Sequence, residues 1–139
     1  MKNNRQGIIG WIYGGKYNIE RYLYTLHRIT GLGLVLYMFL HFFVTALRIN
    51  KTKWEWIMGI FDSPFFHFME WVVFAAAIFH GLNGLRLILS EFGIIMGKPG
   101  RPVYPYKSVF HKQRIFTIII MIIAFIFIVF GFYDFLIKK

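Results

Sequence analysis

The stretch FHGLNGLRLILSEFG, residues 79–93, decides how this chain is read. Its leucines, isoleucine and phenylalanines have the composition of a membrane-spanning helix. Yet His80, Asn83 and Arg86 stand among them within two turns, accompanied by Gly81 and Gly84. Polar and ionisable side chains are expensive in hydrocarbon and persist where something other than lipid meets them. The surrounding sequence narrows what that partner is.

Of the 139 residues, 58% are hydrophobic and 21% aromatic, more apolar surface than a soluble domain of this size can hide, so lipid is the expected solvent. The formal charge of +10 is concentrated at the edges of the apolar runs. That distribution fits membrane topology and contact with anionic headgroups. No basic stripe with interleaved stacking aromatics appears, which argues against nucleic-acid binding. Cysteine is absent, so this chain supplies neither a disulfide nor thiolates for an iron–sulfur cluster. The N-terminal residues have no apolar core long enough for a cleaved signal peptide, so insertion is expected to rely on the first span.

An uncharged run of 19 residues lies between Arg28 and Arg48, and another of 19 between Arg114 and Asp134. At about 1.5 Å per residue each matches the ~30 Å hydrocarbon layer. A second run, from Phe65 to Ser90, reaches spanning length if Glu70 and Arg86 snorkel near its ends. Ser63-Pro64 marks its entry, and GKPGRPVYP reads as a loop before the third span. The expectation is an all-α membrane protein, residues 1–139 forming one domain. Its three transmembrane helices are placed at about 26–49, 65–91 and 113–137, after an N-terminal segment 1–25. The aromatic KWEWIMGIFDSPFFHF is read as a short outer loop in the interfacial belt. Eleven lysines and arginines fall on the side of the N-terminal segment and the second loop, against five on the other, so the N-terminus is placed in the cytoplasm.

Histidines carry the chemistry. His67 and His111 sit at helix entrances and read as interfacial. His41 and His80 lie inside spans, where neutral imidazole needs partners for two ring nitrogens. Either an interhelical hydrogen bond or axial ligation of a haem would provide one. On the second span His80 shares a stripe with Ala76 and Gly84, one turn to each side. Small residues there leave room for a flat macrocycle, or for close helix packing. Arg86, Arg28 and His27 are then available as counter-charges for propionates. Along the helix axes His41 lies about 20 Å from Arg28 and His80 about 9 Å from Arg86, depths that suggest two separate sites.

LHRITG, residues 26–31, and FHGLNGLRLILSEFG together resemble the two signatures of the cytochrome b membrane-anchor subunit of succinate dehydrogenase and fumarate reductase. The first is His-Arg-x-Ser/Thr-Gly. The second is His-x3-Gly-x-Arg, followed by an acidic residue and Phe-Gly. The resemblance covers about Tyr22 to Gly93 and implies half of a two-subunit anchor bundle in the cell membrane. It makes His80 a haem b axial ligand, and places His27, Arg28 and Arg86 at the propionates. The family often has a serine three residues before the first motif's histidine. Tyr24 stands there instead, beside Thr25, so Tyr24, Thr25 and Arg28 become the quinone-site candidates. His41, fourteen residues after His27, matches the spacing of the two-haem anchors and is expected to ligate a second haem iron. Otherwise it packs against a neighbouring helix beside a single haem.

The implied assembly adds a second small anchor subunit, an iron–sulfur subunit and a flavoprotein subunit, passing electrons between succinate and quinone. This chain alone would be inactive. Two alternatives stand beside that reading: a haem-binding subunit of another membrane electron-transfer complex, and a non-redox three-helix membrane protein.

Overall fold

A computed structural model describes residues 19–95 and 110–138, and among them the regular structure is helical. Helix α1 runs Ile19–Ala46 and continues through a short 3-10 turn, Leu47–Ile49. Helix α2 spans Lys51–Phe61, α3 spans Pro64–Glu91 and α4 spans Phe110–Leu136. Three segments have the length and hydropathy to cross a membrane: Ile19–Ile49, Pro64–Glu91 and Gln113–Leu136.

The punctuation follows from local chemistry. Glu20 sits in the first turn of α1, where the helix dipole favours a carboxylate. Asn50 leaves the helical region and its side-chain oxygen accepts from the Lys53 N–H at 3.1 Å, capping α2. Ser63 is extended, as a residue before proline should be, and Pro64 opens α3 where its missing N–H costs nothing. Gly93 adopts φ +70. Its N–H bonds the Ser90 carbonyl and the Ile94 N–H bonds that of Leu89, a Schellman closure that only a residue tolerant of the left-handed region forms cheaply.

Two expectations need correction here. The aromatic segment after Asn50 is not a loop: residues 51–61 form α2. Helix α1 begins seven residues before the expected position, because hydropathy marks the lipid-embedded part and not the hydrogen-bonded helix, which continues through Glu20 and Arg21. Six of the eleven cations on which the expected orientation rests, those in residues 1–18 and 96–109, lie outside the described residues, as does the side chain of His111.

Helix α3 is the middle element, packed on α1 along one flank and more extensively on α4 along the other. Towards the N-terminus of α3, Trp71 donates its indole N–H to the Ile128 carbonyl at 3.1 Å, and the Phe74 ring lies on the backbone at Gly131. The opposite end joins all three long helices through buried polar groups. Helix α1 touches α3 mainly through its N-terminal half. From Val35 to Phe43 every residue is exposed. A compact soluble chain of 16.5 kDa exposes about 7,500 Å². This one exposes 11829 Å², and many large apolar side chains of the described helices, among them Leu32, Val35, Phe42, Phe125 and Phe130, are exposed.

Candidate functional site

The N-terminal half of α1 meets the C-terminal half of α3 at two histidines. His27 and His80 stack face to face, ring centroids 3.9 Å apart and planes 8° from parallel. His80 Nδ1 lies 3.0 Å from the His27 backbone carbonyl. A carbonyl oxygen only accepts, so Nδ1 carries the proton and the lone pair is on Nε2. The Thr30 hydroxyl lies 3.4 Å from the same Nδ1, but its own proton is committed to the carbonyls of Leu26 and His27. Nε2 of His80 makes no hydrogen bond among the described residues. His27 Nδ1 is buried without a partner.

Glycines make this stack possible. A Cβ on Gly31 would lie 2.8 Å from His80 Cε1, and one on Gly84 would lie 3.2 Å from His27 Cε1. The space at Gly84, which the sequence left open to a macrocycle or to close helix packing, is therefore taken by the His27 ring.

One turn beyond His80, Asn83 is fully enclosed at 0% exposure and Arg86 is 2% exposed. Asn83 Nδ2 reaches the Leu23 carbonyl of α1 at 3.4 Å, while its Oδ1 accepts from Arg86 Nε at 3.0 Å. Arg86 Nη1 donates to Thr117 Oγ1 on α4 at 3.0 Å, and Thr117 passes its hydroxyl proton to the Gln113 carbonyl at 2.9 Å. Arg86 thus does not snorkel outwards as expected. It turns into the three-helix junction and makes no salt bridge among the described residues. Neutral oxygens hold a buried cation there, and Glu20 at the start of α1 is the carboxylate within its electrostatic reach.

The remaining candidates lie apart from this junction. Arg28 places its guanidinium 5.7 Å from the centre of the Tyr24 ring, and both are exposed on α1 beside half-buried Thr25. His41 is exposed four turns along α1, its ring 5.5 Å from that of Tyr37. His67 lies 3.3 Å from Asp62 and 3.3 Å from Glu70 at the entrance to α3. Thr117 is the residue that sequence reasoning missed. It is the only threonine in the third apolar run, and an aliphatic hydroxyl among isoleucines there was the available signal.

Comparison with known families supplies the decisive observation: residues 12–130 match the model of the succinate dehydrogenase/fumarate reductase transmembrane subunit. The chain belongs to that family. Over 67 residues it is 34% identical to the succinate dehydrogenase 2 membrane subunit SdhC of Mycobacterium tuberculosis, covering 48% of this chain and 49% of that protein. Over 81 residues it is 28% identical to the succinate dehydrogenase hydrophobic membrane anchor subunit of Halobacterium salinarum, covering 57% and 62%. The chain therefore spans about half the length of the first of these relatives and under two thirds of the second. No solved structure matches it. Within this transmembrane-subunit family, three apolar helices make the chain a multi-pass membrane protein.

A haem implied by the family can be tested against the donor set. An axial imidazole needs a free Nε2 lone pair, with the other ring nitrogen held by a hydrogen bond that fixes tautomer and orientation. His80 meets both requirements. His41 offers an exposed imidazole, and among the described residues no hydrogen bond holds either of its ring nitrogens.

Proposed function

We propose that this chain is the haem b-binding membrane anchor of a succinate:quinone oxidoreductase. It would hold the flavoprotein and iron–sulfur subunits at the membrane and form part of the quinone site. The observation that carries the reading is the 3.0 Å contact of His80 Nδ1 with the His27 carbonyl, which puts the proton on Nδ1 and leaves the Nε2 lone pair available to an iron.

In this reading His80 would hold one haem iron and His41 the iron of a second haem. Haem b would supply reversible one-electron chemistry. The residues do the rest. The His27 carbonyl keeps the His80 proton on Nδ1, and the stacked His27 ring covers one face of the imidazole. Two of the three Arg86 guanidinium nitrogens are committed within the chain, which leaves Nη2 to face a propionate, with His27 and Arg28 as the other candidates. Tyr24, Thr25 and Arg28 would offer donors to quinone carbonyl oxygens as negative charge develops on them. A second small anchor subunit would complete each haem's ligation and cover the exposed half of α1. The N-terminus would lie on the cytoplasmic side with this site.

The test is haem b per flavin in the detergent-purified complex, by pyridine haemochrome assay. The expected result is two haems in the native complex, one in His41→Ala and a corresponding loss in His80→Ala. One haem in both the native and His41→Ala complexes would leave His41 a packing role. A flavin-containing complex without haem would refute the ligand assignment. A haem-bearing chain that never co-purifies with a flavoprotein would favour another electron-transfer complex.

A further inference from the structure

The two histidines and two glycines of the α1–α3 contact form a reciprocal pair. His27 and Gly31 are one turn apart on α1, and His80 and Gly84 are one turn apart on α3. Because the helices run antiparallel, each imidazole crosses to the glycine that follows the other. Adding a Cβ at Gly31 would bring it to 2.8 Å from His80 Cε1 and 3.3 Å from Nδ1, the nitrogen bonded to the His27 carbonyl. A Cβ at Gly84 would sit 3.2 Å from His27 Cε1. Gly33, on the same helix as Gly31, would meet nothing within 4 Å. Clearance at these positions is therefore specific to the rings.

The contacts are mechanically linked. His80 must lie down against α1 for Nδ1 to reach a backbone carbonyl, and a methyl group at position 31 would lift it away. With the rings 3.9 Å apart and nearly parallel, lifting one displaces the other. We propose that Gly31 and Gly84 are positioning residues: by having no side chain, they set the plane of the His80 imidazole and thereby the orientation in which Nε2 is offered to the haem iron. This rests on the proposed haem ligation by His80. It goes beyond that reading by giving the orientation to a glycine on the other helix, through contact and not through a hydrogen-bonding side chain. Alanine is a better helix former than glycine, so α1 itself gains from the exchange, and any loss arises at the ring.

The experiment uses the whole purified complex and follows the low-spin haem signal that disappears in His80→Ala. Its gmax, which depends on the axial imidazole plane, and its midpoint potential are measured in Gly31→Ala, Gly84→Ala and Gly33→Ala. The expected order of displacement follows the clearances: largest for Gly31→Ala, smaller for Gly84→Ala, none for Gly33→Ala. If Gly31→Ala does not assemble, Gly84→Ala against Gly33→Ala decides the question by the same readouts. Haem present, with Gly31→Ala and Gly84→Ala indistinguishable from the native complex, overturns the positioning role alone. A displacement by Gly33→Ala as large as theirs overturns it too. A native complex with no His80-dependent haem signal overturns the proposed function, and this inference with it.

Discussion

Asn83 shows how a side chain with no evident chemistry can determine what a charged neighbour does. Its amide oxygen accepts from Arg86 Nε, its amide nitrogen reaches α1, and it is wholly enclosed. Asn83→Leu keeps the branching and heavy-atom count, with two bulkier methyl groups in place of the amide, and strands a buried guanidinium donor, at a cost of about 1.5–3 kcal/mol for a hydrogen bond to a charged group. The expected outcome is a complex that melts several degrees lower, with Asn83→Asp closer to the native midpoint because a carboxylate still accepts from Arg86. Equal melting of Asn83→Leu and the native complex would show that Arg86 finds another acceptor. The sequence displayed Asn83 and Arg86 three residues apart, but gave no reason to pair them. At that spacing two side chains can meet, and whether they do depends on what the long arginine finds across the helix boundary.

Among the elements, α4 is joined to α3 at both ends by different chemistry. Trp71 and Phe74 grip the backbone near Ile128 and Gly131, while Arg86 grips Thr117. Trp71→Phe removes one indole hydrogen bond and Thr117→Val one hydroxyl acceptor, each worth about 0.5–1.5 kcal/mol or somewhat more for the charged partner. The sites are far apart and share no partner, so the double variant should lose the sum of the two in a thermal melt. Marked non-additivity would mean that the two ends of α4 communicate. Hydropathy alone revealed α4 as a span but left its role generic. Helix α2 was misread for a related reason. Its aromatic, charged composition suits an interfacial loop and an interfacial helix equally. The difference lies in the Asn50 cap and the Ser63-Pro64 boundary, which segment it from its neighbours.

The whole molecule is an open row with α3 in the centre, burying few side chains and leaving the far half of α1 uncovered. An arrangement with so much apolar surface is stable in lipid and finishes its packing against other chains. In the proposed reading His80 would offer a haem iron one nitrogen, and the described residues place no second ligand for that iron opposite it. The chain expressed by itself should therefore insert in the membrane yet bind little haem, as read by the Soret absorbance per protein after detergent extraction. Stoichiometric haem in the isolated chain would show that the site is complete within one subunit.

By itself, the sequence determined that the chain crosses a membrane three times, that His80 and Arg86 lie in the same span, and that two signature motifs place it in its family. Those properties depend on run length, residue chemistry and spacing along one helix, all of them local. Only the tertiary structure decided that Arg86 turns inward to Asn83 and Thr117, that His27 lies flat on His80, and that each ring rests over the other's glycine. Those contacts depend on the axial register and crossing of α1, α3 and α4, which packing across the three helices sets jointly and no single helix encodes.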